Sequence, residues 1–431
     1  MKLTLDVENT VTHRDGKLHL DPFETNNKLV MVGCLTDNGQ EYLYRDNFNG
    51  VQELLDQATI LIGHNIVHDL MWLWECDLKY DGPVFDTMLG EYVLQRGLKE
   101  PLSLEACANR YDLATKKQDT MKDYFKNKVP IDEIPKQELS DYLSADLKAT
   151  QELSDEIYKK LNTQEYSSLM DTILLTNRVA LTLARIYQTG FTVDKNKLDE
   201  VREEFEQEKV KIEERLNRQV HSLMGDTPIN LNSPEQMSWI IYSRKPKDKS
   251  TWMNPFVPYM SKEDFKSTVE ETSEIVYKTR ADKCHECNGT GTIRKVKKDG
   301  NLYAKLPKCT TCSSLGYVFT PTTQVAGLKF NAPTVKWISA NGFSVNKKML
   351  QILQHVTKRT DSVSAYSFLH DLQRLSALDT YLSSFIQGIN TYMKPDGKLH
   401  VRLLQHRTST GRFSGADPNM QNMPRGGTFP V

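Results

Sequence analysis

Three short stretches of the chain place carboxylates where they can do chemistry, and a fourth gathers thiols. In Leu3-Thr4-Leu5-Asp6-Val7-Glu8, an extended chain turns Leu3, Leu5 and Val7 to one side and Asp6 and Glu8 to the other. Like charges held that close are unfavourable unless a cation stands between them, and hard oxygen ligands of this type suit Mg²⁺ or Mn²⁺. A solvated edge strand accounts for the same residues without any chemistry, so the pair needs partners.

Gly63-His64-Asn65-Ile66-Val67-His68-Asp69 supplies one. An apolar strand ends there, a helix rich in Leu, Met and Trp begins, and Asp69 projects at the C-terminal edge of the strand, where α/β sites gather. Tyr142-Leu143-Ser144-Ala145-Asp146 supplies another, because the i, i+4 spacing puts phenol and carboxylate on one helical face. Each also has an ordinary reading: Asn65 as a helix N-cap, Tyr142 as a half-buried aromatic, Asp146 as a surface charge.

Of seven cysteines, Cys284, Cys287, Cys309 and Cys312 form two tight pairs separated by 21 residues, while Cys34, Cys76 and Cys107 lie scattered among apolar residues. Two C-x-x-C pairs at this distance read as a Zn²⁺ site on a ribbon hairpin, with Lys298-Asp299-Gly300 as its turn. Gly289 and Gly291 after one pair, and Gly316 after the other, let backbone amides turn toward the thiolates. Between Lys278 and Lys308 there are nine Lys or Arg against three Asp or Glu, a surface able to grip phosphates. Most four-Cys zinc sites only staple small folds, so structure is the favoured role for the metal and DNA or partner contact the alternative.

The elements that must position these groups follow from pattern and length. The 431 residues allow roughly three domains of about 150 residues each. Lys plus Arg (55) almost balances Asp plus Glu (56), so any grip on nucleic acid must come from local basic surfaces. No run approaches the roughly 20 apolar residues of a membrane span, and none has the flanks of a signal peptide; the expectation is a soluble, cytoplasmic protein with no membrane partner. From residue 1 to about 157, short apolar runs (Lys28 to Leu35, Glu41 to Tyr44, Thr59 to Ile62) alternate with helical patterns, which reads as α/β. Helical spacing dominates from Tyr158 to Met224, with Lys195 to Leu223 a long charged helix, solvated or arm-like. Ser233 is placed to cap a helix whose first residue is Pro234. Helical patterning resumes from Pro333 to Leu382, where His370-Asp371 reads as a helical surface pair. The tail from Lys394 onward is rich in Gly, Pro and Arg, a pattern that also fits a linker.

The ordered signature Asp-x-Glu, Asn-x-x-x-Asp, Tyr-x-x-x-Asp resembles that of the DEDDy proofreading exonucleases, with Val84-Phe85-Asp86-Thr87 and Leu102-Ser103-Leu104 matching secondary blocks. His68 stands where that family usually has Phe or Tyr. From about Tyr187 the chain resembles the thumb and early palm of family A DNA polymerases, on Gly190-Phe191-Thr192-Val193-Asp194, on Pro228 to Gln236, and above all on Arg407-Thr408-Ser409-Thr410-Gly411-Arg412 continuing to Asn419-Met420-Gln421-Asn422-Met423-Pro424. Phe413, Gly415 and Ala416 depart from the usual pattern.

The resemblance implies a ribonuclease H-like exonuclease domain over 1–157, a thumb-type helical region over 158–277, and the rest of the thumb with the start of the palm over 321–431; the cysteine pairs set a zinc-ribbon-like insertion over 278–320 between them, which is not a standard part of that family. It implies that Asp6, Glu8 and Asp146 bind one Mg²⁺ or Mn²⁺, that Asp6 bridges to a second, that Asp69 holds the second through water, and that Tyr142 orients the attacking water. One metal makes the nucleophile and the other stabilises the departing 3′ oxygen, about 3.5 to 4 Å apart. Asn65, Arg407, Thr410, Arg412, Asn419 and Gln421 are the implied DNA contacts, to a single-stranded 3′ end and a primer-template duplex. The polymerase catalytic motifs are not found before Val431, so synthesis is expected to need a second polypeptide with fingers and catalytic palm. The expected activity is 3′-5′ exodeoxyribonuclease action in DNA replication; the alternatives are a non-catalytic DNA-positioning subunit and an RNA-trimming exonuclease of the same superfamily.

Overall fold

A computed structural model describes residues 1–14, 16–113, 119–293, 306–331, 334–359 and 362–424; Lys298-Asp299-Gly300 lies outside them. The chain forms two compact units, Met1–Val201 with Ser383–Val431, and Arg202–Leu382.

The first unit begins with β1 (Lys2–Asn9), β2 (Thr12–Arg14), β3 (Lys17–His19), β4 (Leu29–Thr36) and β5 (Glu41–Arg45). Next come α1 (Val51–Gln57), β6 (Ile60–Gly63), α2 (Val67–Glu75), β7 (Val84–Asp86), α3 (Thr87–Leu94), α4 (Leu104–Arg110), α5 (Asp119–Lys126), α6 (Lys136–Leu161), α7 (Met170–Thr189) and β8 (Phe191–Thr192). Five strands make one sheet in the order β5-β4-β1-β6-β7. β1 and β5 run antiparallel to β4, whereas β1, β6 and β7 are mutually parallel. The antiparallel strands need only tight connections, while the parallel ones need helical crossovers, here α1 and α2.

Every residue of β4 is buried, as a strand covered on both faces must be. Leu3, Leu5 and Val7 pack with Leu70, Met71 and Leu73 of α2, whereas Met31 joins Leu139 and Leu143 of α6. Along α6 the buried residues Leu139, Leu143, Asp146, Leu147, Thr150, Leu153, Ser154 and Ile157 recur at helical spacing, one stripe facing the sheet. Each leucine in it contributes about 1.5 to 3 kcal/mol of burial. The apolar runs at 28–35, 41–44 and 59–62, expected as strands, form β4, β5 and β6.

The segment after Ser383 returns to the first unit. Lys398–Leu399 pairs antiparallel with β8, and Arg402–Leu404 pairs with Ser414–Ala416, so this stretch is folded and not a linker. Lys394, only 6 % exposed, donates to Asp21 Oδ2 and Glu24 Oε1, both at 2.7 Å, and lies 3.2 Å from His19 Nδ1. Arg14 adds a 2.9 Å bond to Glu24. Burial alone would raise the Glu24 carboxyl, but Lys394 and Arg14 hold it below its ordinary value. His400 stacks on Phe23, centroids 3.6 Å apart, and its Nδ1 lies 2.7 Å from the Tyr187 carbonyl.

In the second unit, α8 (Lys195–Met224) enters from the first, followed by α9 (Pro234–Tyr242), β9 (Arg244–Pro246), α10 (Lys262–Thr272), β10 (Ser273–Ile275), β11 (Tyr277–Lys283), β12 (Tyr317–Val325), α11 (Lys347–Arg359) and α12 (Val363–Thr380). Ser233 accepts from the Gln236 amide at the start of α9, with Pro234 at its first position, as the sequence required. His370-Asp371 is helical, but only His370 is a surface residue. Asp371 is buried and takes two 2.9 Å bonds from the Arg215 guanidinium of α8, a bidentate pair that local sequence cannot reveal. Among the described residues no helix is long and apolar enough to cross a membrane.

Replacing Lys394 by Met strips the shared ammonium from half-buried Asp21 and from buried Glu24, which keeps only Arg14. The variant is expected to lose about 3 to 5 kcal/mol of stability, read by urea unfolding at neutral pH; an unchanged midpoint would show that the cluster carries no such weight.

Candidate active site

On β1, Leu3, Leu5 and Val7 are buried on one face; on the other, Thr4 is buried beneath α6 while Asp6 and Glu8 are half-buried. Asp146 comes from the middle of α6 and is 5 % exposed. One carboxylate oxygen from each of Asp6, Glu8 and Asp146 lies within 4.8 Å of the others. Residues far apart in sequence thus meet because α6 crosses β1 and β4.

Gly33 makes that crossing possible. It is the β4 partner of Asp6, and a Cβ placed there would lie 2.8 Å from Leu143 Cγ and 2.8 Å from Leu147 Cδ1. These leucines flank Asp146 on α6, so a side chain at 33 would force them to shift and disturb the packing of α6 on β4. Nothing in the sequence around Gly33 signals this.

Asp69 is the third residue of α2 and 2 % exposed. It sits in a helix's first turn and not on the strand edge itself. Its Oδ1 accepts the Val7 amide at 3.1 Å, which ties it to the residue between Asp6 and Glu8. Burial, and then the Asp6 charge, push its carboxyl well above the usual range. It stands outside the group of three close carboxylates. Tyr142 lies one turn before Asp146 and is half-buried; burial, followed by the charges of Glu8 and Asp6, raises its phenol.

The loop before α2 is organised by a residue whose sequence context gave no such role. Asp86, at the end of β7, accepts the amides of Asn65 (3.0 Å), Ile66 (3.1 Å), Met88 (2.9 Å) and Leu89 (3.3 Å). Its carboxylate caps α3 and also holds the turn that opens α2. Burial pushes it up to about 6 against the pull of those amides. Asn65 is therefore not the side-chain cap of α2; it adopts φ 65°, a left-handed conformation that Asn tolerates. His64 fastens the same loop, with Nδ1 2.9 Å from Thr87 Oγ1 and Nε2 2.8 Å from the Leu102 carbonyl.

His68 is half-buried, with Nε2 2.9 Å from Asn9 Oδ1. Burial, and then the Arg402 guanidinium, push it down to about 4.

The tail residues singled out in the sequence, Arg407, Thr410, Arg412, Asn419 and Gln421, are all exposed. Asn419 Oδ1 accepts the Gln421 amide at 3.1 Å, and Gln421 Oε1 accepts the Gly415 amide at 2.8 Å. Gln421 thus braces the Arg402–Ala416 hairpin, and Asn419 holds the turn that carries Gln421. Tyr92 of α3 donates to the Thr408 carbonyl at 2.7 Å, which seats this loop on the first unit.

In the second unit the four cysteines converge, with all four Sγ atoms within 4.8 Å of one another. Cys284 and Cys309 sulfurs are 3.8 Å apart, and those of Cys287 and Cys312 are 3.6 Å apart. The Gly291 amide points at Cys287 Sγ and the Gly316 amide at Cys312 Sγ, each at 3.3 Å. Both glycines have positive φ, 72° and 80°, which a side chain would resist. The two pairs sit at the connecting end of the β11–β12 hairpin, with Cys284 following β11 and Cys312 preceding β12.

Residues 14–162 match the family model described as 3′-5′ exonuclease of DNA polymerase A. This region is a family A 3′-5′ exonuclease domain. The matched stretch of the exonuclease domain contains Asp69, Tyr142 and Asp146 and begins after Asp6 and Glu8. Over most of its length the chain is similar to DNA polymerase I of Bacillus subtilis, 21 % identical over 359 residues, which is 80 % of this chain and 28 % of that protein. DNA polymerase I of Lactococcus lactis subsp. cremoris is 31 % identical over 110 residues, 23 % of this chain and 12 % of that protein. The chain thus spans well under half the length of these relatives. Its fold is similar to the polymerase domain of Pol1 from M. smegmatis, a structure with DNA primer-template and dNTP, at 15 % identity and TM-score 0.55, covering 98 % of this chain and 52 % of that one.

A neutral His68 that titrates near 4 makes the folded state bind fewer protons than the unfolded one between about 4 and 6.5. Its contribution to stability is complete above about 6.5 and is lost as pH falls toward about 4. Relative to His68→Gln, the wild type is expected to lose stability over that window in urea unfolding at stepped pH; parallel curves would contradict the assignment.

Proposed function

We propose that the chain hydrolyses 3′-terminal nucleotides from DNA as a proofreading exonuclease. The observation that carries this reading is the meeting of Asp6, Glu8 and Asp146 on the sheet of a family A exonuclease domain. Three carboxylates at this separation repel one another, and their oxygens form a donor set that fits Mg²⁺ or Mn²⁺. Asp6, Glu8 and Asp146 are the residues that would hold one such ion, and Asp6 and Asp69 those that would serve a second. Bound there, the metals would supply activation of the attacking water and stabilisation of the departing 3′ oxygen.

The protein's own residues do the rest. Tyr142, kept protonated by burial and by the neighbouring carboxylates, donates its hydroxyl hydrogen bond to orient the attacking water. The Val7 amide fixes Asp69, and the Asp86-held turn presents Asn65 toward the DNA strand. Arg407, Thr410, Arg412, Asn419 and Gln421 lie exposed on the C-terminal segment, where Arg407 and Arg412 meet phosphates and the amides reach the minor groove. The four cysteines, with amides aimed at two of their sulfurs, form a donor set suited to one structural Zn²⁺.

Asp6→Ala and Glu8→Ala are expected to abolish Mg²⁺-dependent shortening of a 3′-labelled DNA strand, and Tyr142→Phe to slow it about 10- to 100-fold. Full activity in Asp6→Ala, or faster digestion of RNA than of DNA, would sink the reading. For the cysteine site, elemental analysis is expected to find one zinc per chain, lost in a Cys284→Ser/Cys309→Ser variant; a metal-free wild type prepared without chelator would refute it.

A further inference from the structure

The second unit contains a cavity of about 600 Å³ between β9, α10, β10 and the chain after β12. Its volume falls within the roughly 300 to 1,000 Å³ of small-ligand sites. The floor is apolar and aromatic, built from Tyr242, Met260, Phe265, Phe330 and Phe343. Around it stand four cations, Arg244, Lys262, Lys266 and Lys329, against one carboxylate, Glu270.

The cations come from three separate segments. Lys262 and Lys266 are one turn apart on α10 and therefore share a face. Arg244 projects from β9, where its guanidinium donates to Ser273 Oγ at 3.1 Å, and Lys329 follows β12. Among the described residues none of these four has a carboxylate partner at ion-pair distance, whereas the nearby Lys245 and Lys249 are neutralised by Glu274 and Glu235. Positive charge left uncompensated around one hollow attracts an anion. Tyr259, one residue before Met260, is 99 % exposed, an aromatic ring held in water at the edge of the same loop. Lys278 and Lys283 of β11 follow within a few residues of β10.

We infer that this cavity binds single-stranded DNA, taking one base against the apolar floor while Lys262, Lys266, Lys329 and Arg244 meet the flanking phosphates. A flat base fills an aromatic-floored hollow, and a repeating anion satisfies cations spread over three segments; this pairing of stacking surface with a basic rim is how strands are held without sequence preference. The site is separate from the carboxylates of the first unit, and the inference stands whether or not those hydrolyse DNA.

The test is the binding of a fluorescent oligothymidine to the full chain in EDTA, which prevents digestion, across a series of salt concentrations. Lys262 and Lys266 are both exposed, so Lys262→Ala/Lys266→Ala removes charge without touching the core. With two ammonium groups no longer meeting phosphates of a single strand, the slope of log K against log salt should fall by about 1.4 and binding should weaken roughly tenfold. Photocrosslinking from an iodouracil-substituted strand should map to peptides containing Met260 to Lys266 or Lys329 to Asn331. The inference is overturned if slope and affinity are unchanged, if crosslinks map only to the first unit, or if polyglutamate competes as well as DNA does, which would make the occupant an acidic polypeptide.

Discussion

Helix α6 rests directly on Gly33, and the arrangement of the carboxylates depends on that close approach. Like charges separate unless packing forces them together, so the energy that gathers Asp6, Glu8 and Asp146 comes from the buried leucine stripe of α6 pressed on β4 and β1. Leu143 and Leu147, on either side of Asp146, are the residues that touch Gly33. Hydrophobic burial is thus converted into an electrostatic demand for cations at one point of the sheet, and a side chain at position 33 would disturb the leucine packing that creates it.

A second constraint is set by Asp86. One carboxylate at a strand end gathers the amides that begin two helices, so the turn carrying Asn65 and the first turn carrying Asp69 are fixed to β7 as well as to β6. The pair of devices is complementary: Gly33 governs the height of one helix over the sheet, and Asp86 governs the starting points of two others.

What the sequence made legible was what local pattern can encode. Alternation along β1 separated the carboxylates from the core residues, i, i+4 spacing put Tyr142 with Asp146, and the Ser233-Pro234 start and the cysteine pairs with their glycines appear as read. The roles of Gly33, Asp86 and Lys394 were not legible, because each depends on partners brought in by the fold: Leu143, the Asn65 turn, and Asp21 with Glu24. For the same reason Asp371 reads locally as a surface charge, while its partner Arg215 is 156 residues away. The tail, read from composition as a basic loop or linker, is a paired hairpin braced by Gln421, whose side-chain oxygen accepts the Gly415 amide.

The pairing of β8 with Lys398–Leu399 joins distant parts of the chain within one compact unit. As the chain emerges from the ribosome, the N-terminal sheet can form early, but its partner strand and the ammonium that neutralises Asp21 and Glu24 arrive only after all of Arg202–Leu382 has been made. Until then Phe191 lacks its neighbour, Asp21 lacks the Lys394 ammonium, and Glu24 has Arg14 alone. The unit that carries the carboxylates therefore closes last, and a ribosome stalled within the second unit would release a first unit with an open, acidic seam.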